Sequence, residues 1–129
     1  ADYTNNLLRY IDDARAIGAT PILITPMHRR KFYATGRMND TLLPYADAMK
    51  KAAHKKKVAL VDLHTASGEL FEKIGEAQAN QMSDDPADRT HFNLAGARAM
   101  AELIIKQLPQ VEPTIKGCLK AAKEEKSVP

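Results

Sequence analysis

The sequence predicts a layered α/β fold with parallel strands, and three observations support this prediction. Amphipathic stretches with a period near 3.6 residues alternate with short apolar runs in the order helix, strand, helix, strand, helix, helix. Both short runs are apolar throughout, which is typical of parallel strands that are covered on both faces. The length of 129 residues is that of one domain.

The first predicted helix runs from Tyr3 to Ile17, with apolar residues at helical spacing. It ends at Gly18, because glycine adopts the left-handed cap conformation without a Cβ clash. Residues 21–26 form a β-branched run bounded by prolines, which predicts the first strand. The segment Met27–Asn39 has no clear period, so we expect a loop that leaves the carboxyl end of this strand.

A second helix is predicted for Asp40–Lys56, with Pro44 in its first turn, where the missing N–H has no consequence. The second apolar strand follows at residues 58–63. The densest basic cluster lies in the last turns of this helix and consists of Lys50, Lys51, Lys55, Lys56 and Lys57. Cations offset the partial negative charge of a helix carboxyl end, so we interpret the cluster as a solvated helix end.

Three further elements are predicted in the second half of the chain. Thr65 is expected to cap a helix that runs to about Ala79. A polar segment then leads to a helix over residues 93–108. Residues 113–125 show only a weak helical pattern, which Gly117 weakens further.

Composition restricts the classes of partner and location. The content of 27% charged and 44% hydrophobic residues is that of a folded globular protein, and the net charge of +3 is modest. We therefore expect neither nucleic-acid nor membrane partners.

No apolar run reaches the roughly 18 residues of a membrane span, and no signal peptide is visible. The chain begins at Ala1 without a Met, so a leader or a longer segment can precede it. A lone Cys118 excludes an intrachain disulfide framework.

Two strands are too few to complete a sheet of this kind. Each apolar strand needs a strand neighbour and helices on both faces, which a two-stranded parallel sheet does not provide. We therefore expect the missing strands to come from an upstream segment, from a second chain or from a symmetry mate.

The clearest catalytic pattern is Asp88 and His91, in a turn that leads into the predicted last helix. At this spacing a carboxylate can contact the ring N–H, which orients the imidazole, selects its tautomer and stabilises the imidazolium. These are the tasks of the acid and base members of a hydrolytic triad. The spacing alone is weak evidence, because a chain with nine Asp and four His contains such a pair by chance quite often.

Further candidates follow from the sheet geometry, because ligands bind beyond the carboxyl ends of the strands in an open α/β sheet. Three loops leave that end and predict one rim of side chains: His28, Arg29, Arg30, His64, Asp88 and His91. The first four are candidate substrate-binding residues, and the two arginines could bind a carboxylate, since a guanidinium matches a carboxylate with two parallel hydrogen bonds. The alternatives are that the arginines are solvated or ion-paired and that His64 makes a structural hydrogen bond to a loop carbonyl.

A metal site formed by Asp62, His64, Asp88 and His91 is a further alternative, but no H-x-H or H-E-x-x-H spacing supports it. We therefore expect no metal and no cofactor.

Three segments of the chain resemble the SGNH (GDSL) hydrolase family, specifically its rhamnogalacturonan acetylesterase branch. The resemblance covers residues 3–108 and rests on the order of these motifs: residues 18–26 (GATPILITP) with Arg29, Arg30 and Phe32; Val61-Asp62-Leu63-His64; and residues 88–93 (DRTHFN) with Ala95-Gly96-Ala97. It implies a flavodoxin-like three-layer α/β/α sandwich and a serine esterase that deacetylates plant cell-wall polysaccharide. It also implies a secreted or periplasmic location.

Carried over by this resemblance, His91 is the general base that activates a serine and Asp88 is the carboxylate that orients it. The chain departs from the family in lacking the Gly-Asp-Ser block with the nucleophile and the glycine and asparagine of the oxyanion hole. Its serines are Ser67, Ser83 and Ser127, and none lies in a Gly-Asp-Ser or G-x-S-x-G setting.

We therefore expect residues 1–108 to be the carboxyl-terminal portion of an esterase domain and residues 109–129 to be a terminal extension. The expected partners are an acetylated polysaccharide or oligosaccharide and the amino-terminal part of the same domain, or a second chain, that completes the sheet. By itself the chain is expected to show no esterase turnover, because a base without a nucleophile has nothing to activate. The alternative is a non-catalytic α/β binding or assembly module descended from such a hydrolase.

Overall fold

The computed structural model describes residues 2–119. In chain order, its elements are α1 (Asp2–Ala16), β1 (Ile22–Ile24), α2 (Leu43–Lys56), β2 (Ala59–Val61), α3 (Leu63–Asn80), α4 (Leu94–Val111) and a 3-10 helix (Pro113–Cys118). The order of helices and strands follows the prediction, and the strands are parallel. The mixed α/β class is therefore confirmed.

The sheet consists of β1 and β2 paired side by side, with Ile22 opposite Ala59 and Ile24 opposite Val61. Helices α2 and α4 pack against β2, α1 packs against α2, and α3 packs against α4. No further strand pairs with β1 among residues 2–119. Within this chain β1 is not covered on both faces, because Ile24 is 39% exposed, and this agrees with the expectation that two strands are too few to complete the sheet. The unpaired edge of β1 accounts for this exposure.

Two helices end in a left-handed residue that reverses the chain toward a strand. After α1, Gly18 has φ 79°, and the N–H groups of Gly18 and Ala19 donate to the carbonyls of Arg15 and Ala14. This double hydrogen bond is a Schellman motif, so the predicted glycine cap is confirmed. Helix α2 ends in the same way at Lys57, which adopts φ 51° despite its Cβ.

Helix α3 begins three residues earlier than predicted, and its cap is Asp62 rather than Thr65. Asp62 Oδ1 accepts from the Thr65 N–H at 3.1 Å, while Oδ2 accepts from the Thr65 hydroxyl at 2.7 Å. Thr65 is therefore the donor at this helix start and not the acceptor. The helix is interrupted at Gly75, which has φ 79° and ψ 165° and divides α3 into two segments.

Helix α4 begins where predicted, after the cap Asn93, but it extends past Pro109 to Val111. The proline removes one backbone hydrogen bond, and the next turn still closes because the Glu112 N–H donates to the Leu108 carbonyl at 2.9 Å. The weak pattern predicted at 113–125 corresponds to the 3-10 helix up to Cys118. Its remaining part, beyond residue 119, lies outside the described residues.

The largest apolar cluster joins the loop after β1 to α3 and α4. Its buried members are Met38, Leu63, Phe71, Ala79 and Met100. The cluster thus fixes the loop that carries several candidate residues against the helix that follows the Asp88 turn. Within residues 2–119, no helix is long and apolar enough to cross a membrane.

Candidate active site

The turn between α3 and α4 holds Asp88 and His91 in contact. Asp88 Oδ1 accepts from the backbone N–H groups of Thr90 at 2.6 Å and of His91 at 2.9 Å. Its other oxygen, Oδ2, lies 2.8 Å from His91 Nδ1. One carboxylate therefore shapes the turn with one oxygen and orients the imidazole with the other.

This geometry fixes the chemistry of the imidazole. Because the carboxylate accepts at Nδ1, the neutral ring carries its proton there and presents a basic lone pair at Nε2. The His91 side chain is 84% exposed, so Nε2 is accessible from outside the chain. The hydrogen bonds from the His91 and Thr90 backbone and from the His91 ring hold the pKa of Asp88 well below its usual range. The carboxylate therefore stays charged wherever the imidazole can act as a base.

The residues after His91 anchor the turn to the start of α4. Asn93 Oδ1 accepts from the Gly96 N–H at 3.0 Å, and Asn93 Nδ2 donates to the Gln81 carbonyl at 2.9 Å. At Gly96, an added Cβ would lie 2.4 Å from a Phe92 ring carbon and 2.7 Å from the Met82 carbonyl oxygen. Only glycine therefore permits this close approach of α4 to the turn.

A buried arginine holds the turn from the inside. Arg30 is fully buried, and its Nη2 donates to the carbonyls of Asp88 at 3.0 Å and of His91 at 2.6 Å. The Arg30 backbone N–H donates to the Arg89 carbonyl at 2.8 Å. Its guanidinium also lies over the Phe92 ring, 4.5 Å from the centroid, as in a cation–π contact. Burial lowers the pKa of Arg30, and the nearby Asp88 charge opposes this shift.

His28 and His64 form a second buried group with Asp40. Asp40 was not among the residues predicted from the sequence. The two rings stack with centroids 3.9 Å apart, and their Nε2 atoms lie 3.2 and 2.8 Å from Asp40 Oδ2. Burial raises the pKa of Asp40, but the His64 hydrogen bond and the Leu42 backbone hydrogen bond outweigh it and lower the pKa overall. Asp40 could not be found from sequence, because it follows a loop without a period and meets His64 from 24 residues away.

The predicted rim is therefore corrected in part. Asp88 and His91 meet as predicted, but His28, Arg30 and His64 are buried and hydrogen-bonded inside the chain. The alternative of a structural hydrogen bond to a loop carbonyl holds for His64, whose Nδ1 lies 2.9 Å from the Pro26 carbonyl oxygen. Arg29 is half-buried, and its Nε is buried without a hydrogen-bond partner among the described residues.

The described serines are not placed to act with His91. Ser67 is fully buried, accepts from the His28 N–H at 2.9 Å and donates to the His64 carbonyl at 3.1 Å. Ser83 Oγ accepts from the Asp85 N–H, and Ser127 lies outside the described residues. A groove of about 550 Å³ lies between α3 and α4 and is lined by neither Asp88 nor His91.

Comparison with known proteins shows the family to which the chain belongs. Residues 1–104 match the family described as GDSL-like lipase/acylhydrolase. The chain belongs to this family. The SGNH (GDSL) resemblance inferred from the sequence motifs is thereby confirmed.

Several relatives of the chain come from Bacillus subtilis (strain 168). The chain is 30% identical to rhamnogalacturonan acetylesterase RhgT over 125 residues, which cover 88% of this chain and 54% of RhgT. It is 37% identical to the probable rhamnogalacturonan acetylesterase YesY over 112 residues, which cover 84% of this chain and 51% of YesY.

A solved structure supports the same fold. The crystal structure of the Bacillus subtilis protein YxiM matches with a TM-score of 0.75 and 29% identity, covering 88% of this chain and 32% of that chain. Among curated proteins, YxiM is described as an uncharacterized esterase. The SGNH-type α/β fold class is therefore confirmed. The chain spans about half the length of RhgT and YesY.

Proposed function

We propose that this chain is the carboxyl-terminal portion of a serine carbohydrate O-acetylesterase and supplies the Asp–His pair of its catalytic triad. The observation that carries the proposal is the 2.8 Å contact between Asp88 Oδ2 and His91 Nδ1, combined with the exposure of the ring. This arrangement leaves a basic Nε2 lone pair on the outside of the chain, where a serine from another segment can approach.

In the proposed reaction His91 acts first as a base and then as an acid, with Asp88 as its carboxylate partner. His91 Nε2 takes the proton of the serine hydroxyl while the serine oxygen attacks the acetyl carbonyl carbon, and Asp88 stabilises the resulting imidazolium. The imidazolium then returns this proton to the sugar oxygen as the ester bond breaks, leaving an acetyl-serine. Water repeats the sequence, with His91 as base, and releases acetate.

The nucleophile and the oxyanion donors are proposed to come from the amino-terminal part of the same domain or from a second chain. The unpaired edge of β1 and the 39% exposure of Ile24 support this, since an added parallel strand would cover both. The hydrolase portion is proposed to span residues 1–108. Residues 109–129 are proposed as an extension of this portion, although their first residues continue α4.

The proposed substrate is an acetylated polysaccharide or oligosaccharide of the pectin type, because RhgT is a rhamnogalacturonan acetylesterase and YesY a probable one. Among the four substrate-binding candidates, Arg29 remains the one proposed to contact a uronate carboxylate. Arg29 is half-buried, whereas the other three are buried and hydrogen-bonded inside the chain. The resemblance further supports a secreted or periplasmic location.

The test is to produce the chain joined to the segment encoded upstream of Ala1 and to measure acetate release from acetylated pectin and from an aryl acetate. The joined protein is expected to release acetate, and His91→Ala is expected to lower kcat at least about a thousandfold. His54→Ala is the matched control, because His54 is an exposed helix residue outside both histidine groups. Acetate release that is unchanged by His91→Ala would refute the proposal.

A second candidate is a non-catalytic binding or assembly module that descends from such a hydrolase. The observation that favours it is that neither described serine contacts His91. It predicts that the 129-residue chain forms a dimer that pairs the free edges of β1. Size-exclusion chromatography over a range of concentrations, with circular dichroism as the fold control, distinguishes the two candidates.

A further inference from the structure

The stacked pair His28 and His64 contacts a single carboxylate oxygen. Nε2 of His64 lies 2.8 Å from Asp40 Oδ2, and Nε2 of His28 lies 3.2 Å from the same atom. The rings are 21° from parallel with centroids 3.9 Å apart. Both histidines are buried, while the Asp40 side chain is 25% exposed. The group therefore opens to solvent at its carboxylate side.

The hydrogen bonds at the other nitrogens determine what the Nε2 atoms can do. His28 Nδ1 lies 2.9 Å from the His64 carbonyl oxygen, and His64 Nδ1 lies 2.9 Å from the Pro26 carbonyl oxygen. A carbonyl oxygen only accepts, so both Nδ1 atoms must carry a proton. In a neutral ring, Nε2 is then a lone-pair acceptor. If both rings are neutral, two imidazole lone pairs and one carboxylate oxygen converge with no donor between them.

Protonation of the two Nε2 atoms does not satisfy the hydrogen bonding of this group well. Donation from both Nε2 atoms would make two imidazolium rings, stacked at 3.9 Å in a buried site beside one carboxylate. Like charges at this separation repel, and burial disfavours each of them. With one imidazolium only, the other Nε2 lone pair would face the carboxylate oxygen. One divalent cation, by contrast, accepts electron pairs from all three atoms.

We propose that His28, Asp40 and His64 bind one divalent transition-metal ion of the zinc type, through the two Nε2 atoms and a carboxylate oxygen. These ligand atoms all lie within 4.8 Å of one another. Zinc bonds of about 2.0–2.1 Å in a tetrahedron place ligand atoms about 3.3–3.4 Å apart. The Nε2–Oδ2 distances of 2.8 and 3.2 Å are close to this value, so small rotations of the side chains admit the ion. Water completes the coordination on the exposed side of Asp40.

The surroundings of the ligands match those of a metal site. Metal-binding histidines commonly donate their second N–H to a carbonyl, which fixes the ring orientation. Both rings do so here, and Ser67 adds support because its hydroxyl donates to the His64 carbonyl at 3.1 Å. Gly68 leaves the space for the His28 ring, since a Cβ there would lie 2.9 Å from the ring carbon Cε1.

The ion would act as a clamp between three parts of the chain. His28 belongs to the loop after β1, Asp40 precedes α2, and His64 lies in the first turn of α3. The same loop carries Arg30, which holds the Asp88–His91 turn. The proposal concerns metal binding alone and does not depend on the proposed esterase activity.

The test uses the complete 129-residue chain, stripped of metal with a chelator and titrated with ZnCl₂ by calorimetry. We expect one equivalent of Zn²⁺ to bind. Asp40→Asn and His64→Gln should each weaken the affinity by about tenfold or more. His54→Gln and His91→Gln are matched controls that keep wild-type affinity, because both histidines lie outside the group. Loss of affinity in a control variant with retention in both ligand variants would overturn the proposal.

A second readout on the unmodified chain avoids the risk that a variant misfolds. Proton–nitrogen NMR of the histidine rings, recorded with and without one equivalent of Zn²⁺, should shift the Nε2 resonances of His28 and His64. The rings of His54 and His91 should stay within the spread of a blank titration. An absence of shifts at His28 and His64 in the folded chain, or shifts at His91 instead, would refute the assignment.

Discussion

Replacement of Arg30 by Met removes the charged group that holds the Asp88–His91 turn and keeps a side chain of similar length. The variant loses the two hydrogen bonds from Nη2 to the carbonyls of Asp88 and His91, at 3.0 and 2.6 Å. It also loses the contact of the guanidinium with the Phe92 ring. We expect the turn to loosen and the folded state to lose stability.

The magnitude follows from these contacts. Two hydrogen bonds from a charged donor contribute about 1.5–3 kcal/mol each, and a cation–π contact adds about 1 kcal/mol. Part of this is offset, because Arg30 Nε and Nη1 are buried without partners among the described residues and methionine relieves their desolvation. The expected net loss for Arg30→Met is about 2–3 kcal/mol.

The assay is urea unfolding followed by circular dichroism, with Arg37→Met as the control. Arg37 is 77% exposed and pairs with Glu72 at 3.3 Å, so its replacement should change the free energy of unfolding by less than about 1 kcal/mol. Arg30→Lys should fall between the two, since an ammonium lacks the planar fork of a guanidinium. If Arg30→Met were as stable as Arg37→Met, the role assigned to Arg30 would be wrong.

Three further predictions concern single residues. Gly96→Ala should lower the free energy of unfolding by about 1–3 kcal/mol, because the new Cβ meets the Phe92 ring and the Met82 carbonyl. Gly117→Ala is the control in the same urea unfolding assay: its Cβ has nothing within 4 Å, so the change should be nearly neutral. Asp62→Ala should cost about 1–2 kcal/mol at neutral pH through loss of the α3 cap. Burial raises the pKa of Asp62, but Lys50 and other donors lower it overall. The free-energy loss of Asp62→Ala should therefore shrink as the pH falls below about 4, as measured by unfolding curves over a range of pH. For Asp88, carbon NMR of the carboxyl should show a folded pKa below that of the unfolded chain; a folded value at or above it would contradict the observed hydrogen bonds.

The features that the sequence predicted correctly are local ones. The period of the apolar residues and Gly18 predicted the order of elements and the end of α1, because both depend on neighbours along the chain. The contact between Asp88 and His91 spans only three residues, so its geometry follows from the turn itself. The cap of α3 was misplaced because Asp62 and Thr65 are both good capping residues and sequence does not tell donor from acceptor.

The features that sequence missed depend on contacts between distant segments. Arg30 contacts Asp88 and His91, which lie 58 and 61 residues away in the sequence. The local sequence around Arg30 therefore looked the same as that of a solvated loop arginine. The sequence predicted His28 and His64 at one rim, because parallel strands end at the same edge of the sheet, but it did not show that both rings are buried and contact Asp40.

The most direct test of the account is kcat of Asp88→Asn in the chain joined to its upstream segment. Asparagine retains an oxygen for the N–H groups of Thr90 and His91, so the turn can persist, but its amide no longer offers a carboxylate to His91 Nδ1. The loss of the correct tautomer should lower kcat by about 10⁴-fold with little change in the circular dichroism spectrum. A kcat within tenfold of the unmodified protein would contradict the assignment of Asp88 and His91 as the catalytic pair.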